Sequence, residues 1–240
     1  MKFYLCTTNQ KKILLTTDCK FLFLEKIAVK NRLVFLKKRT LIYLFVSTIF
    51  LPFGEVKRGV AQTLDSAALS NAPTFYSLDE ALKNPTQVYK FKMRRKGLEK
   101  FPDEVFQFEN LQVLDLSKNK ISEIPENIKN LKNLQELRLS KNKIQVIPNE
   151  LCELIFLKKL FLERNKITAI PSQIGNLKKL EIIDLWSNDV VIFPKELSEL
   201  KNLKTLDLQD NLVNEEERKK LKLLLPDTKI IYTKSCNCGS

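Results

Sequence analysis

The sequence predicts an α/β solenoid: stacked coils of equal length, one short parallel strand in each, with helical caps at both ends. Three observations carry this. The segments LQVLDLSKN (from Leu111), LQELRLSKN (Leu134), LKKLFLERN (Leu157), LEIIDLWSN (Leu180) and LKTLDLQDN (Leu203) begin 23 residues apart. Asparagines (Asn119, Asn142, Asn165, Asn188, Asn211), prolines (Pro102, Pro125, Pro148, Pro171, Pro194) and apolar residues (Phe108, Leu131, Leu154, Leu177, Leu200) keep the same step. On either side of this register the pattern breaks into short helix-like segments. Self-similarity at a fixed period marks a repeat architecture, in which each unit buries its apolar face against its neighbours.

Within a coil, LxLxxN alternates inward apolar and outward polar residues, which is strand periodicity. A parallel partner needs a crossover, and the next strand arrives one coil later. The asparagine sits where the chain leaves the strand. Its amide carries both a donor and an acceptor, so it can bond backbone groups inside the turn and to the next coil. Leaving such buried groups unpaired costs about 1–3 kcal/mol each. The IxxIP step then lays two apolar anchors on the far side, where proline fixes φ and stops a strand or long helix. A 23-residue coil leaves room for an extended or short 3₁₀ return arc rather than a full helix.

This pattern resembles the leucine-rich repeat, LxxLxLxxNxIxxIPxxIxxLxx, closely from Leu111 to Val213. An earlier turn fits the phase through Val88, Phe91, Met93, Leu98 and Phe101-Pro102, but Lys96 fills its asparagine slot. About six coils are therefore expected over residues 88–213. The resemblance implies a curved solenoid with its sheet on the concave face.

The remaining segments follow in chain order. Residues 1–61 form a basic leader. Lys37, Lys38 and Arg39 precede an apolar run at 41–53, which suits a signal-peptide core and is short for a membrane span. Gly59-Val60-Ala61 offers a cleavage site near Ala61, so the expected mature form holds no stable membrane span. Translation starting near Leu33 or Val34 would account for the long stretch upstream; a buried helix or an uncleaved anchor is the other reading. Residues 62–76 read as a linker. Residues 77–87 read as an N-cap helix, with Ser77 as N-cap and Pro85 past its end. Residues 214–234 read as a C-cap helix and strand: NEEERKKLKLLLP puts acids first and lysines later, as a helix dipole favours, and TKIIY is strand-like. Residues 235–240 form a tail. The combination of ALKNP before the first coil and EEERKKLKLLLPDTKIIY after the last is similar to small leucine-rich repeat proteins of pathogenic spirochaetes (Leptospira).

The net charge of +13 is unevenly placed. Residues 1–40 hold 10 Lys/Arg against 2 acids, and in the repeats lysines alternate with acids. That distribution argues against a nucleic-acid partner. Cys152 falls in a return arc and reads as a small apolar residue. Cys236 and Cys238 offer either a disulfide pair, a bond to another chain, or a frayed tail. The chain has no histidine, which removes Ser-His-Asp and Cys-His catalysis and histidine-held zinc. Only five glycines are present and no phosphate loop is among them. Asp115, Asp184 and Asp207 share one repeat slot and read as a surface choice rather than an acid–base pair. A non-enzymatic protein with no cofactor and no metal follows.

What remains is a surface. The third, fifth and seventh residues of LxxLxLxx point outward. Coil one is all basic there: Lys90, Lys92 and Arg94, extended by Arg95 and Lys96. Coils four and five bring Phe161, Ile182 and Trp186 onto adjacent strands about 4.8 Å apart, close enough to merge into one apolar patch. Arg138, Glu163 and Asp184 ring it, as at an interface hot spot. Trp186 reads either as an anchor for a protein partner or as a ring lying flat over its neighbours. The basic coil reads either as a polyanion site or as solvated charge guarding the sheet's first edge. The expected protein is an exported or surface-exposed monomer that grips a protein partner on its concave face. The spirochaete resemblance implies host cell-surface adhesion or matrix molecules as that partner. The alternative is a cytoplasmic or membrane-tethered structural scaffold.

Overall fold

A computed structural model describes residues 63–233. Residues 60–240 form a compact unit of their own. The basic leader, its apolar run, the Ala61 cleavage site and Cys236 and Cys238 lie outside the described residues.

The 23-residue step becomes one eight-stranded parallel sheet in which strand order follows chain order. The strands are β1 (Thr74–Phe75), β2 (Lys90–Lys92), β3 (Val113–Asp115), β4 (Glu136–Arg138), β5 (Lys159–Phe161), β6 (Ile182–Asp184), β7 (Thr205–Asp207) and β8 (Lys229–Ile231). Their register is the repeat register: Phe91, Leu114, Leu137, Leu160, Ile183 and Leu206 stand opposite one another. These side chains point inward and are buried. Ile121, Ile144, Ile167 and Val190 close the interior from the far side of each turn and are fully buried as well. Removing such a side chain from water is worth about 1.5–3 kcal/mol, so each coil brings an apolar stripe that only its neighbours can cover.

The return arcs are 3₁₀, as the coil length requires. They span Asp103–Gln107, Glu126–Asn130, Asn149–Glu153, Ser172–Asn176 and Lys195–Glu199. Pro102, Pro125, Pro148, Pro171 and Pro194 stand immediately before them in extended backbone. A proline there has no N–H to lose from the turn that follows. Cys152 is buried in its arc, and burial, with Glu150 nearby, pushes its thiol up to about 12. It packs as an apolar group and is not a reactive thiol.

The asparagines form a bonded ladder. Asn188 accepts from the Ile167 N–H at 3.1 Å and donates to the Leu162 and Leu185 carbonyls at 3.0 and 2.9 Å. Asn142 and Asn165 repeat the arrangement one coil at a time, Asn119 does so on Lys96, Met93 and Leu116, and Asn211 accepts from the Val190 N–H but donates to the Leu185 and Gln209 carbonyls. The inter-coil bonds reach back to the preceding coil, not forward to the next as expected. The residue before each ladder position, Lys118, Lys141, Arg164, Ser187 and Asp210, has φ between 53° and 62°, and Arg95 shares it at 57°. This left-handed step turns the chain out of the strand and aims the asparagine inward.

The ends differ from expectation in detail. Residues 62–76, read as a linker, hold a short helix α1 (Ser66–Asn71) and β1. β1 pairs with β2, so the basic strand Lys90–Lys92 is not the first edge of the sheet. In residues 77–87, α2 covers only Leu78–Ala81, and Ser77 precedes it without a side-chain capping bond. Pro85 lies past its end, as expected, and opens a 3₁₀ turn. At the C-terminus α3 (Glu215–Leu224) is capped by Asn214, which accepts from the Glu217 N–H at 2.9 Å, and β8 pairs with β7. Among the described residues no helix is long and apolar enough to cross a membrane, and no cluster of metal-ligating side chains occurs.

Candidate functional site

The register arranges the outward residues in rows. The central row runs Lys92, Asp115, Arg138, Phe161, Asp184, Asp207, and the row before it Lys90, Val113, Glu136, Lys159, Ile182, Thr205. Just past the strands the repeat continues with Arg94, Ser117, Ser140, Glu163, Trp186 and Gln209.

Phe161, Ile182 and Trp186 lie outside the buried core and are half-buried on this face. Charged residues stand beside them in the register. Phe161 has Arg138 and Asp184 as its lateral neighbours, and Ile182 has Lys159 and Thr205. Asp184 separates Ile182 from Trp186 along the strand. The surface is a chequer of aromatic and charged groups. Each aromatic ring has a guanidinium over it: Arg138 stands 3.9 Å from the Phe161 centroid, and Arg164 4.4 Å from that of Trp186. The Trp186 indole N–H also donates to Asp210 at 2.7 Å. Trp186 is thus held by contacts from both neighbouring coils.

Arg164 and Asp210 were absent from the sequence-based contact set. Both occupy the left-handed turn position, which reads as a linker between strand and asparagine. The only available signal was their spacing from Trp186: one coil back plus one residue for Arg164, one coil forward plus one for Asp210.

The aspartates of the shared slot also do more than decorate the surface. Asp115, Asp184 and Asp207 each accept the backbone N–H two residues on, from Ser117, Trp186 and Gln209, at 3.0 Å. The Asp184 carboxylate therefore fixes the backbone of Trp186. Burial pushes the Asp184 carboxyl up to about 6, and Glu163 and Asp207 push the same way, while the Trp186 N–H and Arg138 oppose them. Glu163 accepts from the Ser140 hydroxyl. Glu136 takes Arg138 at 2.5 Å and Lys159 at 3.7 Å.

The basic residues of the first coil divide. Lys90 donates to the Ser70 carbonyl of α1 at 2.9 Å. Arg94 approaches the buried Asp115 at 3.6 Å. Lys92, Arg94, Lys118, Arg138 and Lys141 share a polar cleft of about 220 Å³ with Asp115, Glu136 and Glu163. Arg95 and Lys96 stay exposed beyond the strand. Asp115, Ser117 and Ser140, expected to face the open concavity, are buried by their neighbours. The face thus passes from cationic in its first coils to aromatic and acidic in coils four to six.

A family model described as "Leucine-rich repeat region" matches residues 103–229, more than half of the chain. The chain belongs to the leucine-rich repeat family. Its solenoid is similar to a leucine-rich repeat protein of Leptospira interrogans, at 38% identity and a TM-score of 0.54, covering 60% of this chain and 35% of that one. The internalin C2 of Listeria monocytogenes shares 25% identity over 63% of each chain, with a TM-score of 0.54. The leucine-rich repeat ectodomain of an Arabidopsis thaliana membrane receptor kinase, solved in complex with Casparian strip integrity factor 2, shares 25% identity, with a TM-score of 0.53. That match covers 68% of this chain and 23% of the receptor. This chain spans about a third of the length of the Leptospira protein. No curated protein matches the chain in sequence.

Proposed function

We propose that this leucine-rich repeat protein is a non-enzymatic binding module that grips a protein partner on its concave face. Phe161, Ile182 and Trp186 act as contacts, and Arg138, Glu163 and Asp184 frame them. The observation that carries this reading is that the core is closed without these residues, yet both rings are held in fixed poses by Arg138, Arg164 and Asp210. A pre-fixed aromatic loses little rotamer freedom on docking, which is how interface anchors gain affinity. The Arabidopsis receptor ectodomain, bound to its protein ligand, supports the same class of function for this fold.

The spirochaete resemblance of the two end segments, ALKNP and EEERKKLKLLLPDTKIIY, is what extends the reading to export and to host adhesion or matrix molecules as partners. The leader, with its apolar run at 41–53 and cleavage near Ala61, supplies the route. A pull-down of host surface proteins with residues 62–240 identifies the partner. With it in hand, Trp186→Ala and Phe161→Ala keep the fold and each lose roughly 2 kcal/mol of binding. Unchanged affinity in both variants rejects the face. Mass spectrometry of the mature N-terminus tests export separately: a start at Gln62 supports it, and intact Met1 in the cytosol supports the scaffold reading instead.

A further inference from the structure

A second surface lies on the flank where the chain leaves the sheet. One residue past the first three ladder asparagines stands an exposed lysine: Lys120, Lys143 and Lys166. Their backbone N–H groups bond the preceding coil at Leu98, Ile121 and Ile144, each at 2.8 Å. The three side chains therefore form a column with one cation per coil, about 4.8 Å apart. Beside it, the left-handed residues Lys118, Lys141 and Arg164 add a second cation per coil. Among the described residues none of these six is in an ion pair. Arg95, Lys141 and Arg94 crowd Lys118 closely enough to lower its affinity for its own proton.

Three residues further along each coil an apolar column begins. Val146 is 67% exposed and Ile192 60% exposed, with Ala169 between them and bridged to Ile192. The inward anchors Ile144 and Ile147, or Ile167 and Ile170, hold the intervening backbone, so the lysine and the aliphatic residue both face out. Leu212, 78% exposed, continues the lysine position in the last coil. Glu123 and Asp189 bound the strip at either end.

We propose that this flank docks on an anionic phospholipid surface. The combination of side chains selects that occupant. A nucleic acid or other soluble polyanion would use the cations and gain nothing from Val146 and Ile192. A folded protein partner is met by aromatic and arginine anchors in pockets, and this strip has protruding aliphatics and five lysines to one arginine. Lysine is a flexible, hydrated point charge without the planar fork that reads a fixed geometry. It suits a fluid field of phosphates, and aliphatic tips beside it enter the interfacial layer.

The experiment measures co-sedimentation of residues 60–240, whose core is complete in itself, with phosphatidylcholine vesicles with and without phosphatidylglycerol. Binding is expected only with the anionic lipid and weakens with added salt. Lys120→Glu/Lys143→Glu/Lys166→Glu lowers partitioning roughly 100-fold. Val146→Ser/Ile192→Ser lowers it roughly tenfold at unchanged charge. Matching melting temperatures show that both variants fold. Three outcomes overturn the proposal: no binding to the anionic vesicles, full binding by the charge-reversed variant, or an apolar variant indistinguishable from the parent.

Discussion

At the scale of single residues, two side chains show how the repeat converts composition into stability and into a surface. Asn188 closes three backbone groups at once, one N–H and two carbonyls, all in the interior. Asn188→Ala leaves them without partners where water is scarce. A loss of about 3 kcal/mol or more is expected from their desolvation, read as a lower denaturant midpoint with faster amide exchange at Ile167. Asp184 works in the opposite sense. Its carboxyl is raised to about 6 in the folded chain from an ordinary value near 3.8. The folded state therefore holds the proton more tightly than the unfolded chain. Ionising Asp184 removes stability as pH rises from about 4 to about 6, and below that window the penalty is absent. Asp184→Asn keeps an acceptor for the Trp186 N–H and removes the charge. Thermal melts should show the variant more stable than the parent at neutral pH and equal to it below pH about 4. An advantage that persists at low pH would assign the effect to packing instead.

At the scale of elements, legibility follows periodicity. The strands, the prolines before each 3₁₀ arc and the asparagine ladder could be read because each recurs in phase and meets one physical demand. The left-handed turn was not legible, because lysine, arginine, serine and aspartate occupy it in place of the glycine that usually signals positive φ. α1 and β1 were not legible either: they occur once, and their anchorage, including Lys90 on the Ser70 carbonyl, is made by side chains far along the chain. The candidate face was legible as a set of positions and not as an arrangement. Spacing puts Phe161 and Trp186 on neighbouring strands, but the arginines stacked over them depend on side-chain pose. Close packing between arcs was likewise hidden. A Cβ at Gly175 would meet the Glu196 carbonyl at 3.0 Å and the Glu196 and Glu199 side chains at 3.2 and 3.3 Å. All three contacts, one carbonyl oxygen and two Cβ carbons, move only with the backbone of the next arc. Gly175→Ala should therefore force successive arcs apart and cost about 1–3 kcal/mol, whereas the exposed Ser172→Ala should leave the melting temperature unchanged.

At the scale of the whole molecule, the strongest contacts between elements all join neighbours in the stack: strand to next strand, arc to next arc, and α3 to the last arc. Stability in such a chain is the sum of coils and the interfaces between them, so the ends decide whether the stack stays closed. The C-terminal cap brings Leu221 and Leu225 of the α3 segment into the buried core, and β8 occupies the hydrogen-bonding edge of β7. Deleting residues 214–240 uncovers both the apolar end of the sixth coil and a free row of backbone donors and acceptors on Thr205–Asp207. An open parallel edge with an apolar flank is a template for a second chain. Light scattering should show concentration-dependent association of the truncated protein under conditions where the parent keeps one mass. Amide exchange should rise most in β7, less in β6, and little in β2 and β3, because the loss passes from coil to coil. Equal deprotection of every strand would mean that the solenoid unfolds as one cooperative block, and that its coils are coupled beyond their nearest neighbours.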